Sequence, residues 1–82
     1  MHEMGIATSV VDIMKKEAQQ HPGCRVTKVG MRLGGLAGVD PSSLTFCFQV
    51  LVKGTEYEPV VLDIETGSRD ELEMSFMEID DG

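Results

Sequence analysis

The feature that most narrows the fold is a change of hydrophobic period at Pro22-Gly23. Upstream, from about Met4 to Gln20, Ile6, Val10, Ile13, Met14 and Glu17/Ala18 recur at helical spacing, while Asp12, Lys15, Lys16 and Gln19 fall on the opposite side. This predicts a helix, which the proline ends because it cannot continue the hydrogen-bond ladder. Downstream, Val29, Met31 and Leu33 alternate with Lys28, Gly30 and Arg32, predicting a half-buried strand over Arg25 to Leu33.

The run Gly34-Gly35-Leu36-Ala37-Gly38 lacks the spacing of a phosphate loop or a dinucleotide fingerprint, so it is read as a connection whose glycines permit positive φ. Asp40-Pro41 predicts a second helix start. An aspartate side chain can accept an orphan N–H, and proline presets φ at the first helical position. Leu44, Cys47, Phe48, Leu51 and Val52 follow at helical spacing, and Gly54 marks the stop.

Val60, Leu62 and Ile64 alternate with Val61, Asp63 and Glu65, and Leu72 to Ile79 again has strand character, with Leu72, Met74 and Phe76 assigned to one side. Between these strands Thr66-Gly67-Ser68-Arg69-Asp70 is short and turn-forming, so the two are expected to pair as an antiparallel hairpin. The expected architecture is α+β, an α/β chain in the broad sense. Two helices pack on one face of a mixed three-stranded sheet, in the order α-β-α-β-β. Val61, Met77 and Ile79 are expected on the uncovered face, where they leave homodimerisation open.

At 82 residues the chain has room for one domain, taken as 1–82. Fourteen acids against seven bases give a net charge of −7, which argues against nucleic acid and anionic membranes as partners. No apolar run approaches a membrane span, and no basic-then-apolar start suggests secretion, so the expectation is a cytoplasmic protein whose chain begins at Met1 or His2. Cys24 and Cys47 are isolated, without a C-x-x-C pair, so no zinc is expected; Cys47 reads as core and Cys24 as a loop thiol. No acid–base pair or activated nucleophile is visible, so no enzyme is read.

The chemistry concentrates in Met1-His2-Glu3. A free α-amino group at Met1, the amide nitrogen of His2 and its imidazole can close fused chelate rings on one divalent ion, and Glu3 adds a carboxylate and a further nitrogen. Nitrogen-rich, roughly planar ligation suits Ni(II) or Cu(II) better than Mg(II) or Ca(II). The plainer reading is a surface histidine on a frayed terminus.

With the elements placed, the chain resembles a known family. Met1-His2-Glu3-Met4-Gly5-Ile6-Ala7, Arg25-Val26-Thr27-Lys28-Val29, Leu33-Gly34-x-Leu36-x-Gly38-Val39, Ser43-Leu44-x-Phe46-x-Phe48 and Lys53-Gly54-Thr55 look like the hydrogenase maturation nickel chaperones of the HypA/HybF type. Glu71-Leu72-Glu73-Met74 and Met77-Glu78-Ile79-Asp80 resemble that family's last strand. The resemblance implies a domain that hands Ni(II) toward nickel-iron hydrogenase, with a HypB-type GTPase and the hydrogenase large-subunit precursor as partners; some members also serve urease. The family's nickel-binding start falls on Met1, His2 and Glu3. Asp40 stands where some members carry an acid near that site, as an alternative to its capping role.

Two departures stand out. The family's zinc lobe, with two C-x-x-C motifs, is replaced by the joint 66–70, whose Gly67-Ser68 looks like a reconnection in a chain cut down to its nickel domain or in a zinc-free paralogue. This puts precursor docking in doubt. Gly35, where many members have a polar residue, is the smaller departure. An alternative function is a protein-interaction module that recognises a maturation GTPase or enzyme precursor without delivering nickel.

Overall fold

The computed structural model describes residues 2–81. In chain order it contains α1 (Glu3–Gln19), β1 (Arg25–Gly34), a single 3₁₀ turn over Gly35–Ala37, α2 (Pro41–Val52), β2 (Val61–Gly67) and β3 (Leu72–Asp80). The expected element order and the mixed sheet are both present, and Pro22-Gly23 separates helix from strand as read. Gly23 adopts φ 83°, the left-handed backbone that this turn requires and that glycine takes without penalty.

Helix α1 buries Ala7, Val10, Val11 and Met14, a stripe recurring at i, i+3, i+4 and i+7. This corrects the expected inward face. Ile13 is 45 % exposed, and Glu17 is exposed as well. The helix is rotated so that Ala7 and Val11, rather than Ile13, join the core. Helix α2 contributes Leu44, Phe48 and Val52, with Cys47 and Leu51 half-buried against the same cluster.

The strand order is β2-β1-β3, so β1 is central. It pairs in parallel with β2, from Lys28↔Val61 to Gly34↔Gly67, and antiparallel with β3, from Arg25↔Asp80 to Leu33↔Leu72. The expected hairpin is therefore overturned: β2 and β3 lie on opposite edges and do not pair. The physical reason is burial, since β1 carries Val26, Val29, Met31 and Leu33, all in the core, and is best served by a neighbour on both sides.

Instead of reversing, the connection crosses the end of β1. Gly34 N donates to Glu71 O at 2.9 Å and Leu36 N to Arg69 O at 2.8 Å. Arg69 N donates to Glu71 Oε1 at 2.8 Å, and Arg32 lies 3.5 Å from Glu65 and 4.0 Å from Glu71. Gly34 has ordinary extended angles (φ −80°, ψ 150°), so its glycine is required by proximity: an added Cβ would meet the Arg69 carbonyl.

A second correction concerns β3. The pairing skips Ser75, so Gly30 faces Phe76 and Met31 faces Met74. An extra residue moves later side chains to the other face. Met74 and Met77 pack toward the core, whereas Phe76 lies over Gly30 on the open face. The expected patch of Val61, Met77 and Ile79 is accordingly split: Met77 pairs with buried Val29 and Ile79 with buried Val26, leaving Val61 on the open side.

Candidate metal-binding site

Both helices begin at the same end of the molecule, and their starts are joined. Asp40 caps α2 as its sequence predicts: Ser42 N donates to Asp40 Oδ1 at 3.0 Å, and the Ser43 hydroxyl donates to Asp40 Oδ2 at 3.2 Å. The Asp40 backbone N–H donates in turn to Glu3 Oε2 at 3.2 Å. This bond, followed by one from its own amide, holds the Glu3 carboxyl below the usual glutamate range.

His2 occupies the N-cap of α1 in extended backbone (φ −84°, ψ 94°), and its side chain makes no capping bond. Its carbonyl accepts from Gly5 N at 3.1 Å and Ile6 N at 3.3 Å, so the residue anchors the helix through its carbonyl while the imidazole stays exposed. His2, Glu3 and Met4 border a hollow shared with Ser42, Ser43 and Phe46 of α2.

Of the residues singled out by sequence, His2, Glu3 and Asp40 therefore come together at one corner, while Met1 lies outside the described residues. The family resemblance places Asp40 near this corner, but the Glu3–Asp40 bond itself is visible only in the fold. It spans 37 positions and has no local sequence signature. Among the described residues no three His, Cys, Asp or Glu side chains gather closely enough to hold a metal by themselves.

The glycine run makes no phosphate cradle. The Gly34 and Leu36 amides, which an anion would need, are bonded to the crossing segment, and Gly38 takes φ 73° to lead into α2. The Cys24 thiol lies 3.7 Å from Asp81 Oδ1. Burial and the neighbouring Asp81 charge push it up, away from the reactive thiolate. Among the described residues no helix is long and apolar enough to cross a membrane.

The structure is thus a small α+β domain in which an exposed histidine, His2, stands where the starts of the two helices meet. Residues 1–70 match the model of the hydrogenase/urease nickel-incorporation metallochaperone family, HypA. The chain is 40 % identical over 80 residues to the hydrogenase maturation factor HypA of Pelodictyon phaeoclathratiforme, an alignment covering 93 % of this chain and 68 % of that protein. It is 45 % identical over 65 residues to HypA of Chlorobium limicola (79 % and 56 % covered) and 38 % identical over 65 residues to HybF of Klebsiella pneumoniae (79 % and 58 % covered). The chain thus spans between 56 % and 68 % of the length of these relatives. It belongs to the HypA family of nickel-incorporation metallochaperones.

Proposed function

We propose that this domain carries Ni(II) for maturation of nickel-iron hydrogenase, holding the ion at Met1-His2-Glu3 and releasing it by ligand exchange, without catalysing a reaction. The observation that carries the reading is the state of His2, whose imidazole is exposed and makes no hydrogen bond among the described residues while its carbonyl is tied into α1. The His2 amide donates to none of the described residues. Nickel can therefore displace that amide proton without costing the helix a hydrogen bond. With a free Met1 amine and the imidazole, this makes the nitrogen-rich set that Ni(II) favours. Glu3, already bound to Asp40 N, acts as the tether that holds the chelate against α2, and Asp40 as its support.

The proposed partners are a HypB-type GTPase and the hydrogenase large-subunit precursor, in the cytoplasm. Residues 66–70 stand where the family's zinc lobe is inserted, and with only Cys24 and Cys47 present we propose that residues 1–82 fold as one zinc-free nickel domain. Calorimetric titration with Ni(II) tests the reading when repeated on His2→Ala and on protein with its α-amino group acetylated. One ion per chain, weakened by both changes, is the expected result. Unchanged nickel affinity, with GTPase or precursor binding intact, would instead establish the interaction-module alternative.

A further inference from the structure

Among the described residues β2 and β3 each pair on one side only, and the two edges differ. The edge formed by β3 is irregular, because Ser75 interrupts its ladder with β1. Strand β2 runs its full length, Val61–Gly67, against Lys28–Gly34 without a break, and no proline or lysine lies within it. An unbroken edge presents alternate main-chain N–H and C=O groups outward, which is a template for another strand. Along β2 a groove of about 380 Å³ opens toward α2, lined by Thr45, Phe46, Gln49, Leu62 and Ile64. Phe46 is 65 % exposed over it.

We propose that the β2 edge is a strand-addition site for an extended segment of a protein partner in which basic and apolar residues alternate. Main-chain hydrogen bonding selects an extended peptide, and the two faces of β2 select its side chains. On the helix side Leu62 and Ile64 call for apolar residues that settle into the groove. On the open side Asp63 and Glu65 project from the same face as every second side chain of an added strand and would lie beside them. Asp63 has no ion-pair partner among the described residues, and Glu65 has only Arg32, which it shares with Glu71. The net charge of −7 draws basic segments to the whole molecule.

The same charges argue against a second copy as occupant. Antiparallel pairing of two β2 strands about Ile64 sets Asp63 of one copy against Glu65 of the other, and like charges directly opposite destabilise a sheet. The site is independent of the nickel reading, since it uses neither His2 nor Glu3.

The test is titration of the protein with a synthetic peptide of four Lys-Val repeats, followed by backbone amide shifts. Saturable binding with shifts confined to Val61–Gly67 and the facing residues of α2 is expected. A peptide of the same composition with its lysines and valines in two blocks should bind about tenfold more weakly, because only alternation matches both faces of a strand. Asp63→Lys combined with Glu65→Lys should lose the Lys-Val peptide and gain a Glu-Val one; should that variant fail to fold, the comparison of alternating and blocked peptides on unaltered protein decides. Equal binding of the two peptides, shifts on β3 or spread over the acidic surface, no binding, or a dimer paired through β2 would each overturn the proposal.

Discussion

The carboxylate of Glu3 accepts the backbone N–H of Asp40, 3.2 Å away, and so fastens the first turn of α1 to the cap of α2. Each helix start leaves unsatisfied N–H groups and carries partial positive charge, and one carboxylate here answers both. The proposed nickel ligand His2 precedes Glu3 directly, so its backbone is placed by this contact.

Replacing Glu3 with alanine should therefore weaken nickel binding by about tenfold or more, through loss of a carboxylate that belongs to the site, while leaving the core intact. Its stability effect should depend on pH with a definite sign. The folded-state carboxyl titrates below its ordinary value, so the bond's contribution is fully present above the ordinary glutamate range and fades as pH falls through the folded value. Denaturant unfolding of the wild type and Glu3→Ala should differ at neutral pH and converge in strong acid. Parallel curves at both pH values would exclude this role.

Asp40 supplies the cap as well as the N–H. Asp40→Ala removes the acceptor for Ser42 N and should cost about 1 kcal/mol, whereas Asp40→Asn, which keeps an oxygen, should cost only a few tenths. If Asn proves as damaging as Ala in denaturant unfolding, the carboxylate charge rather than the cap is what matters at this position.

Gly30 and Gly34 lie on the same strand and should respond differently to alanine. The nearest atoms a Cβ at Gly30 would meet belong to the Phe76 ring, and Phe76 is 40 % exposed and can swing toward solvent. At Gly34 it meets the Arg69 carbonyl, which is backbone held by its bond to Leu36 N. Gly34→Ala should destabilise by about 2 kcal/mol or more and Gly30→Ala by less. In a Phe76→Ala background the Gly30→Ala cost should largely vanish, while the Gly34→Ala cost should not. Thermal unfolding of the two single variants, the two double variants and Phe76→Ala alone checks the order.

The elements that sequence locates correctly are those whose signals are local. The period change at Pro22-Gly23, the alternation of Val29, Met31 and Leu33, and the Asp40-Pro41 cap each lie within a few residues of what they specify. What sequence misplaces depends on distant partners. Turn chemistry at Thr66–Asp70 marks a change of direction but not which strand lies beside the next one, and β1 claims the centre through burial. Period-two reading places Phe76 with Met74 because the extra residue at Ser75 appears only in the pairing. At the candidate site His2 and Asp40 are legible as separate features, and their connection through Glu3 is a product of the fold.

The sharpest expectation concerns His2 and pH together. His2→Ala removes the imidazole from the proposed chelate, and because the side chain makes no capping bond and is exposed, the fold loses nothing with it. Nickel affinity should fall by about tenfold or more, with amide dispersion and unfolding midpoint unchanged. In the unaltered protein nickel must displace protons from an amine, an imidazole and an amide, so binding releases protons and weakens as pH falls. Between about pH 8 and about pH 6 the apparent affinity should drop by about tenfold or more, and nickel should be lost well before the fold. Calorimetry in two buffers of different ionisation enthalpy measures the released protons directly. An affinity flat over that range, with no proton release, would move nickel off the terminal nitrogens and onto the carboxylates.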